Sequence, residues 1–158
     1  MIISGFAGIG KSTMSKKNPD KCIDLDSSNY KWLFDESIKD IDIEERKGKT
    51  EKVLNPDWPM NYIEDIKKYS KEYDFVFISI DMDVRNILKE EGIHFYVAYP
   101  LLECKEEYIS RYKERNNGEA FIKLLERNFD SLIEELMNTS GSQIRLKKGE
   151  YISDKFNF

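Results

Sequence analysis

The sequence predicts an α/β domain built on a parallel sheet, and three observations carry that prediction. Short apolar runs of strand length alternate with segments whose apolar residues recur at helical spacing. The first of these runs turns directly into a glycine-rich segment that opens a helix. A third run, Phe75-Val76-Phe77-Ile78, is apolar on both faces, as a central parallel strand must be.

Taken in order, Met1 to Ser4 reads as a short buried strand, and a helix from Lys11 to Lys17 ends where Asn18-Pro19-Asp20 breaks it. Cys22 to Asp26 reads as a second strand ending in carboxylates. Asp35 to Lys52 mixes charges of both signs with Ile38, Ile41 and Ile43, which predicts a helix with a solvated face and a loop around Gly48. Asn55 to Pro59 is a turn, and the following helix shows Ile63, Ile66, Tyr69 and Tyr73 on one face. After the strand at 75–78, Val84, Ile87 and Leu88 stripe a helix that Gly92 ends. Ile93 to Tyr99 reads as a strand closed by Pro100. Helices follow over about 102–114 and 120–137, separated by Asn116-Asn117-Gly118, with a last strand near Ile144 to Leu146.

The 158 residues fit one domain over 1–158, with 40% hydrophobic and 13% aromatic residues, too apolar for a disordered chain. No apolar run approaches the ~20 residues of a membrane span. Twenty-five basic against thirty acidic residues, net −5, argue against a dedicated nucleic-acid binder, which needs a basic face. A local electropositive pocket for phosphate remains compatible with that balance. Met1-Ile2-Ile3-Ser4-Gly5 carries no basic or cleavable leader, so the expected compartment is the cytoplasm. Cys22 and Cys104 are expected there as buried thiols, without metal spacing around them.

Gly5-Phe6-Ala7-Gly8-Ile9-Gly10-Lys11-Ser12 matches G-x-x-x-x-G-K-[ST] without deviation, in the strand-to-helix context that the motif requires. Glycines let the backbone curl so that successive N–H groups form an anion nest, and the helix N-terminus adds its positive dipole end. The candidate nucleotide-binding residues are therefore Gly5, Gly8, Ile9, Gly10, Lys11, Ser12 and Thr13. Lys11 is expected to neutralise the β and γ phosphates, Ser12 to hold Mg²⁺, and Thr13 to lie by the α phosphate. Asp24 and Asp26, two apart, share one side of an extended strand. One, Asp24, is the candidate metal ligand, and the other suits acceptance of a hydroxyl proton, with capping of the Ser27-Ser28-Asn29 turn as the plainer alternative for Asp26.

The glycine motif followed by a short helix and Ile23-Asp24-Leu25-Asp26 resembles the small P-loop kinases: shikimate kinase, gluconate kinase and the nucleoside monophosphate kinases. Arg111-Tyr112-Lys113-Glu114-Arg115 is similar to the arginine-rich lid entrance of that superfamily. Tyr99-Pro100 with Glu103, Tyr108, Arg111 and Arg115 also resembles a group of phage and bacterial P-loop proteins. The resemblance implies a three-layer α/β P-loop NTPase domain with about five parallel strands in the order 2-3-1-4-5. It further implies an ATP- and Mg²⁺-dependent kinase with an acceptor region about 27–62 and a short lid about 111–127. The expected partner is a small-molecule acceptor, a nucleotide or nucleoside first, in a monomer or homodimer, with no nucleic acid or membrane partner. A kinase of a hydroxylated metabolite and an NTPase or regulator without an acceptor are the alternatives.

Arg111 and Arg115, four apart on one helix face, are the candidate catalytic arginines beside Lys11, Asp24 and Asp26. Arg127 is a further lid candidate, and Arg85 is placed to reach an acceptor's phosphate. Trp58, Asn61 and Tyr62, with Tyr30 and Trp32, are either base-stacking groups or core. The strand at 75–78 runs into Ser79 where many NTPases carry an acid, so Asp81 is expected to substitute or Asp24 to act alone. His94, inside an apolar run, is expected to be packed.

Overall fold

The structure, a computed structural model of the chain, describes residues 1–33 and 52–157. The helix expected over most of 35–52 lies outside the described residues. In chain order the elements are β1 (Ile2–Gly5), α1 (Lys11–Lys17), β2 (Cys22–Asp24), α2 (Ser28–Lys31), β3 (Trp32–Leu33) and β4 (Val53–Leu54). Then come α3 (Met60–Tyr69), β5 (Phe75–Ile78), α4 (Met82–Glu90), β6 (Tyr96–Pro100), α5 (Lys105–Glu114), α6 (Glu119–Met137) and β7 (Ser142–Leu146). Single 3₁₀ turns at Leu102–Cys104 and Ile152–Lys155 precede α5 and follow β7.

Five strands form one parallel sheet in the order β2-β5-β1-β6-β7. In chain count this is 2-5-1-6-7, where the expectation was 2-3-1-4-5. The difference comes from β3 and β4, which precede Phe75–Ile78 in the chain but pair antiparallel with each other as a separate ribbon. Runs of two residues leave no periodicity to read, so the expectation passes over them.

Alternation along the strands splits the core in two. Ile3 and Phe77 point to one face, where Met14 of α1, Tyr108 and Tyr112 of α5 and Phe129 of α6 cover them. Ile2, Val76 and Ile78 point to the other, against Tyr62, Ile63 and Ile66 of α3 and Val84 and Leu88 of α4. Helices thus lie on both sides of the sheet, as the two periodicities of the sequence require. On α6, Leu125, Phe129, Ile133 and Leu136 make the buried stripe, each worth about 1.5–3 kcal/mol on burial.

Element ends depart from expectation for local reasons. β2 stops at Asp24 rather than Asp26, because Leu25 N–H makes one last bond to Phe77 O at 2.9 Å before the Asp26 side chain turns the chain. β6 begins at Tyr96 rather than Ile93. Gly92 takes φ 71° and Ile93 N–H bonds back to Leu88 O, so the residues after α4 finish the helix instead of starting a strand. His94 is consequently exposed, with its ring edge-on to Tyr96, and not packed in the sheet.

Candidate functional site

The carboxyl ends of β1, β2 and β5 meet at one cleft of about 850 Å³, lined by the glycine loop, the start of α1, the residues after β2 and the end of α5. Of the motif residues, Gly5, Gly8, Gly10, Lys11, Ser12 and Thr13 line it. Ile9 instead buries its side chain in the core, leaving only its backbone to the loop.

Two glycines cannot be replaced without strain. Gly8 has φ 90°, and a Cβ there would stand 2.9 Å from the Tyr112 ring. Gly10 has φ 99°, and a Cβ would stand 3.1 Å from Tyr151. The tight approach of aromatic rings on the far side and the left-handed backbone together explain both glycines.

Lys11 folds its stem back under the loop, and its Nζ donates to Gly5 O at 2.6 Å and Phe6 O at 3.1 Å. Burial pushes its pKa below the ordinary 10.5, against the pull of Asp24 and Asp26, with nearby Arg115 adding to the lowering. Ser12 Oγ donates to Asp24 Oδ2 at 2.9 Å. Burial also raises the Asp24 pKa, opposed first by Lys11 and then by the Ser12 bond. A cation and a carboxylate are thus held in a partly desolvated site, each where its charge is costly until another charge arrives.

Asp26 lines the same cleft, and its Oδ1 accepts Ser28 N–H at 2.9 Å. It caps the turn and faces the cleft at once, so the two readings of this residue are not exclusive. Tyr62, fully buried, fixes the ends of both strands: its hydroxyl donates to Leu25 O at 2.6 Å and accepts Ser79 N–H at 3.1 Å. This tie between β2 and β5 sets where Asp24 and Asp26 sit, and the sequence reading did not find it.

Several expected residues lie elsewhere. Asp81 caps α4, accepting N–H bonds from Asp83 and Val84 at 3.0 and 3.2 Å, and is not part of the cleft wall. Ser79 does line it, and its hydroxyl is buried with no partner among the described residues. Arg85 is buried at the α4–α6 contact, where both Glu135 oxygens lie 2.7 Å from its Nη2 and Thr139 accepts from Nη1. It therefore does not reach an acceptor in the cleft. Trp58 stacks on Tyr62 at 5.4 Å, Tyr30 tilts against the same ring, and Asn61 donates to Tyr30 O. These groups pack on one another and are absent from the cleft wall.

The two candidate arginines both line the cleft but differ in what holds them. Arg115 is exposed at the cleft mouth. Arg111 is 7% exposed and spends its donors on the protein: Nη1 on Gly8 O at 2.8 Å, Nη2 on Glu107 Oε1 at 3.1 Å and Glu150 O at 3.0 Å. Arg127 is exposed and does not line the cleft.

The donor set suits a hard cation that keeps several waters. One hydroxyl and one carboxylate, completed by phosphate oxygens, is the usual protein contribution to Mg²⁺, and among the described residues no cluster of three or more His, Cys, Asp or Glu offers an all-protein cage. Comparison with known proteins finds no matching family model and no curated protein that matches significantly. Among the described residues, no helix is long and apolar enough to cross a membrane.

Proposed function

We propose that the protein is a P-loop phosphotransferase that moves the terminal phosphoryl of ATP to a small hydroxyl-bearing acceptor. The observation that carries this reading is the convergence of Lys11, the bonded Ser12–Asp24 pair and Asp26 on the wall of one cleft beneath the glycine loop. Phosphoryl transfer is mostly positioning and charge stabilisation, and these groups supply both.

Ser12 and Asp24 would hold Mg²⁺, which neutralises charge on the phosphate oxygens when bound. The glycine loop binds the triphosphate through its N–H groups, and Lys11 exchanges its loop carbonyls for phosphate oxygens. Asp26, with Oδ1 fixed by Ser28, keeps Oδ2 for the acceptor's hydroxyl proton. That proton leaves as the acceptor oxygen bonds to phosphorus and the bridging oxygen departs with the diphosphate. Asp26, Ser27, Ser28 and Ser79 line this part of the cleft, hydroxyls and a carboxylate that suit a hydroxylated acceptor.

A second reading, an NTPase or regulator without an acceptor, is favoured by one observation: Ser79 stands where many NTPases carry an acid, and Asp81 is engaged as a helix cap. ATP consumption with and without nucleosides, nucleoside monophosphates, and gluconate- or shikimate-type acids separates the two. Stimulation by one acceptor class, with a phosphorylated product, supports the kinase. Hydrolysis that none of them stimulates overturns it.

A further inference from the structure

Every carbonyl of the glycine loop is engaged. Gly5 and Phe6 oxygens accept from Lys11 Nζ at 2.6 and 3.1 Å. Ala7 O accepts from the Tyr112 hydroxyl at 2.8 Å, Gly8 O from Arg111 Nη1 at 2.8 Å, Ile9 O from Ile152 N–H at 2.8 Å, and Gly10 O from Met14 N–H at 3.0 Å. A planar trans peptide whose C=O is held on one side presents its N–H on the other. The N–H groups of 7–13 accordingly donate none of the turn, loop and cap bonds made among the described residues. Three successive carbonyls, at 7, 8 and 9, are held by groups from outside the loop and α1.

We propose that Arg111, Tyr112 and the segment Gly149–Ile152 are positioning residues that grip the carbonyl side of the loop and set its N–H side for triphosphate. The inference rests on the phosphate-binding reading of the loop given above. Nothing in it requires these groups to touch the ligand's reacting atoms.

The grip is itself anchored. Arg111 lies between the rings of Tyr108 and Tyr151, at 4.4 and 3.9 Å from their centroids. Glu107 Oε1 accepts both Arg111 Nη2 and Gly149 N–H, at 3.1 and 2.8 Å, tying α5 to the chain after β7. Ile152 is fully buried, and Phe156 packs on Phe75 at 4.7 Å, so the C-terminal segment is held beyond its contact with the loop. Packing alone would need only the tyrosine ring; the Tyr112 hydroxyl adds a directed bond to Ala7 O. A buried arginine with three bonds to two backbone carbonyls and a carboxylate is likewise a costly way to fill space.

The test is calorimetric binding of magnesium tripolyphosphate and of Mg-ATP to wild type, Tyr112→Phe and Arg111→Met, beside thermal melting. Tyr99→Phe is the control, since Tyr99 is fully buried and its hydroxyl bonds Gln143 away from the loop. Tyr112→Phe should weaken both ligands about fivefold, the effect of one neutral hydrogen bond, and Arg111→Met by tenfold or more. Tyr99→Phe should melt lower while binding both ligands as wild type does. In turnover, the KM for ATP should rise in Tyr112→Phe while the KM for acceptor holds. Wild-type affinity in Tyr112→Phe overturns the grip and leaves the triphosphate reading standing. A wild type that binds neither ligand overturns both. Should Arg111→Met fail to fold, Tyr112→Phe, which removes a single oxygen, still decides.

Discussion

Ser12 Oγ donates to Asp24 Oδ2 at 2.9 Å, joining the first turn of α1 to the carboxyl end of β2. The bond brings a hydroxyl and a carboxylate from two elements to one point beside Lys11, and burial there holds the Asp24 pKa above its ordinary 3.8. A raised carboxyl contributes stability that is complete below its unfolded value and lost as pH rises through its folded value. At neutral pH the ionised group is therefore a cost to the ligand-free fold.

Asp24→Asn should accordingly melt above wild type at pH 7 without ligand, with the gap closing as pH falls below the ordinary carboxylate range. If Asp24 holds Mg²⁺ as proposed, the same variant should lose turnover by about a hundredfold or more, since it removes the carboxylate that would anchor the ion. Thermal melting across pH and steady-state kinetics check the two halves. A variant that melts lower and turns over normally would remove Asp24 from the site.

Lys11 has the complementary sign. Burial lowers its pKa below 10.5, so its contribution to stability is present above the unfolded value and lost as pH falls through the folded one. Lys11→Met should stabilise the ligand-free protein at neutral pH and weaken tripolyphosphate about a hundredfold. An arriving anion raises the lysine pKa, so at alkaline pH wild type should take up a proton on binding. Calorimetry in buffers of different ionisation enthalpy counts that proton, and Lys11→Met should show none of it.

The parts of this molecule that local physics decides were legible in the sequence. The helix Lys11–Lys17 and the strand Phe75–Ile78 appear with the bounds expected, because a glycine motif and a continuous apolar run announce themselves within a few residues. Asp24, Asp26, Lys11 and Ser12 all line the cleft, although β2 ends at Asp24 and a turn, not strand parity, carries Asp26 there. The arginines were not legible to the same degree. Arg111 finds Gly8 across 103 residues of chain and Arg85 finds Glu135 across 50, and no local pattern records such partners. Tyr108 and Tyr112, four apart on α5, both pack into the core, and what they meet there depends on the sheet order.

Arg85 gives a prediction that separates stability from function. It is buried, with both Glu135 oxygens within 2.7 Å of Nη2, and its loss would leave that carboxylate unpaired beside the α4–α6 contact. Because Glu135 keeps 31% of its side chain exposed, losing its partner costs about 1.5–3 kcal/mol, the range for a hydrogen bond to a charged group. Arg85→Ala should lower the unfolding free energy by that amount, read by urea unfolding. Turnover per folded molecule should stay at the wild-type level, whereas an acceptor-binding arginine would raise the KM for acceptor.

Arg115 is the opposite case. It is exposed at the cleft mouth, and its charge is close enough to Lys11 to help lower that pKa. An exposed arginine contributes little to the fold, and Arg115→Ala should melt like wild type. If it closes over the transferring phosphoryl, it acts mainly in the transition state, where charge develops on the phosphate oxygens. Its loss should then cut kcat by about 10²–10³ while ATP affinity without acceptor changes little, the signature of an interaction made only in the transition state. Arg115→Lys should recover part of the rate, because an ammonium carries the charge but lacks the planar fork that matches two oxygens. Arg111→Lys should behave differently, weakening ATP binding itself through the Gly8 carbonyl. Steady-state kinetics beside calorimetric ATP binding resolves the two arginines, and an Arg115→Ala enzyme with wild-type kcat would take the residue out of phosphoryl transfer.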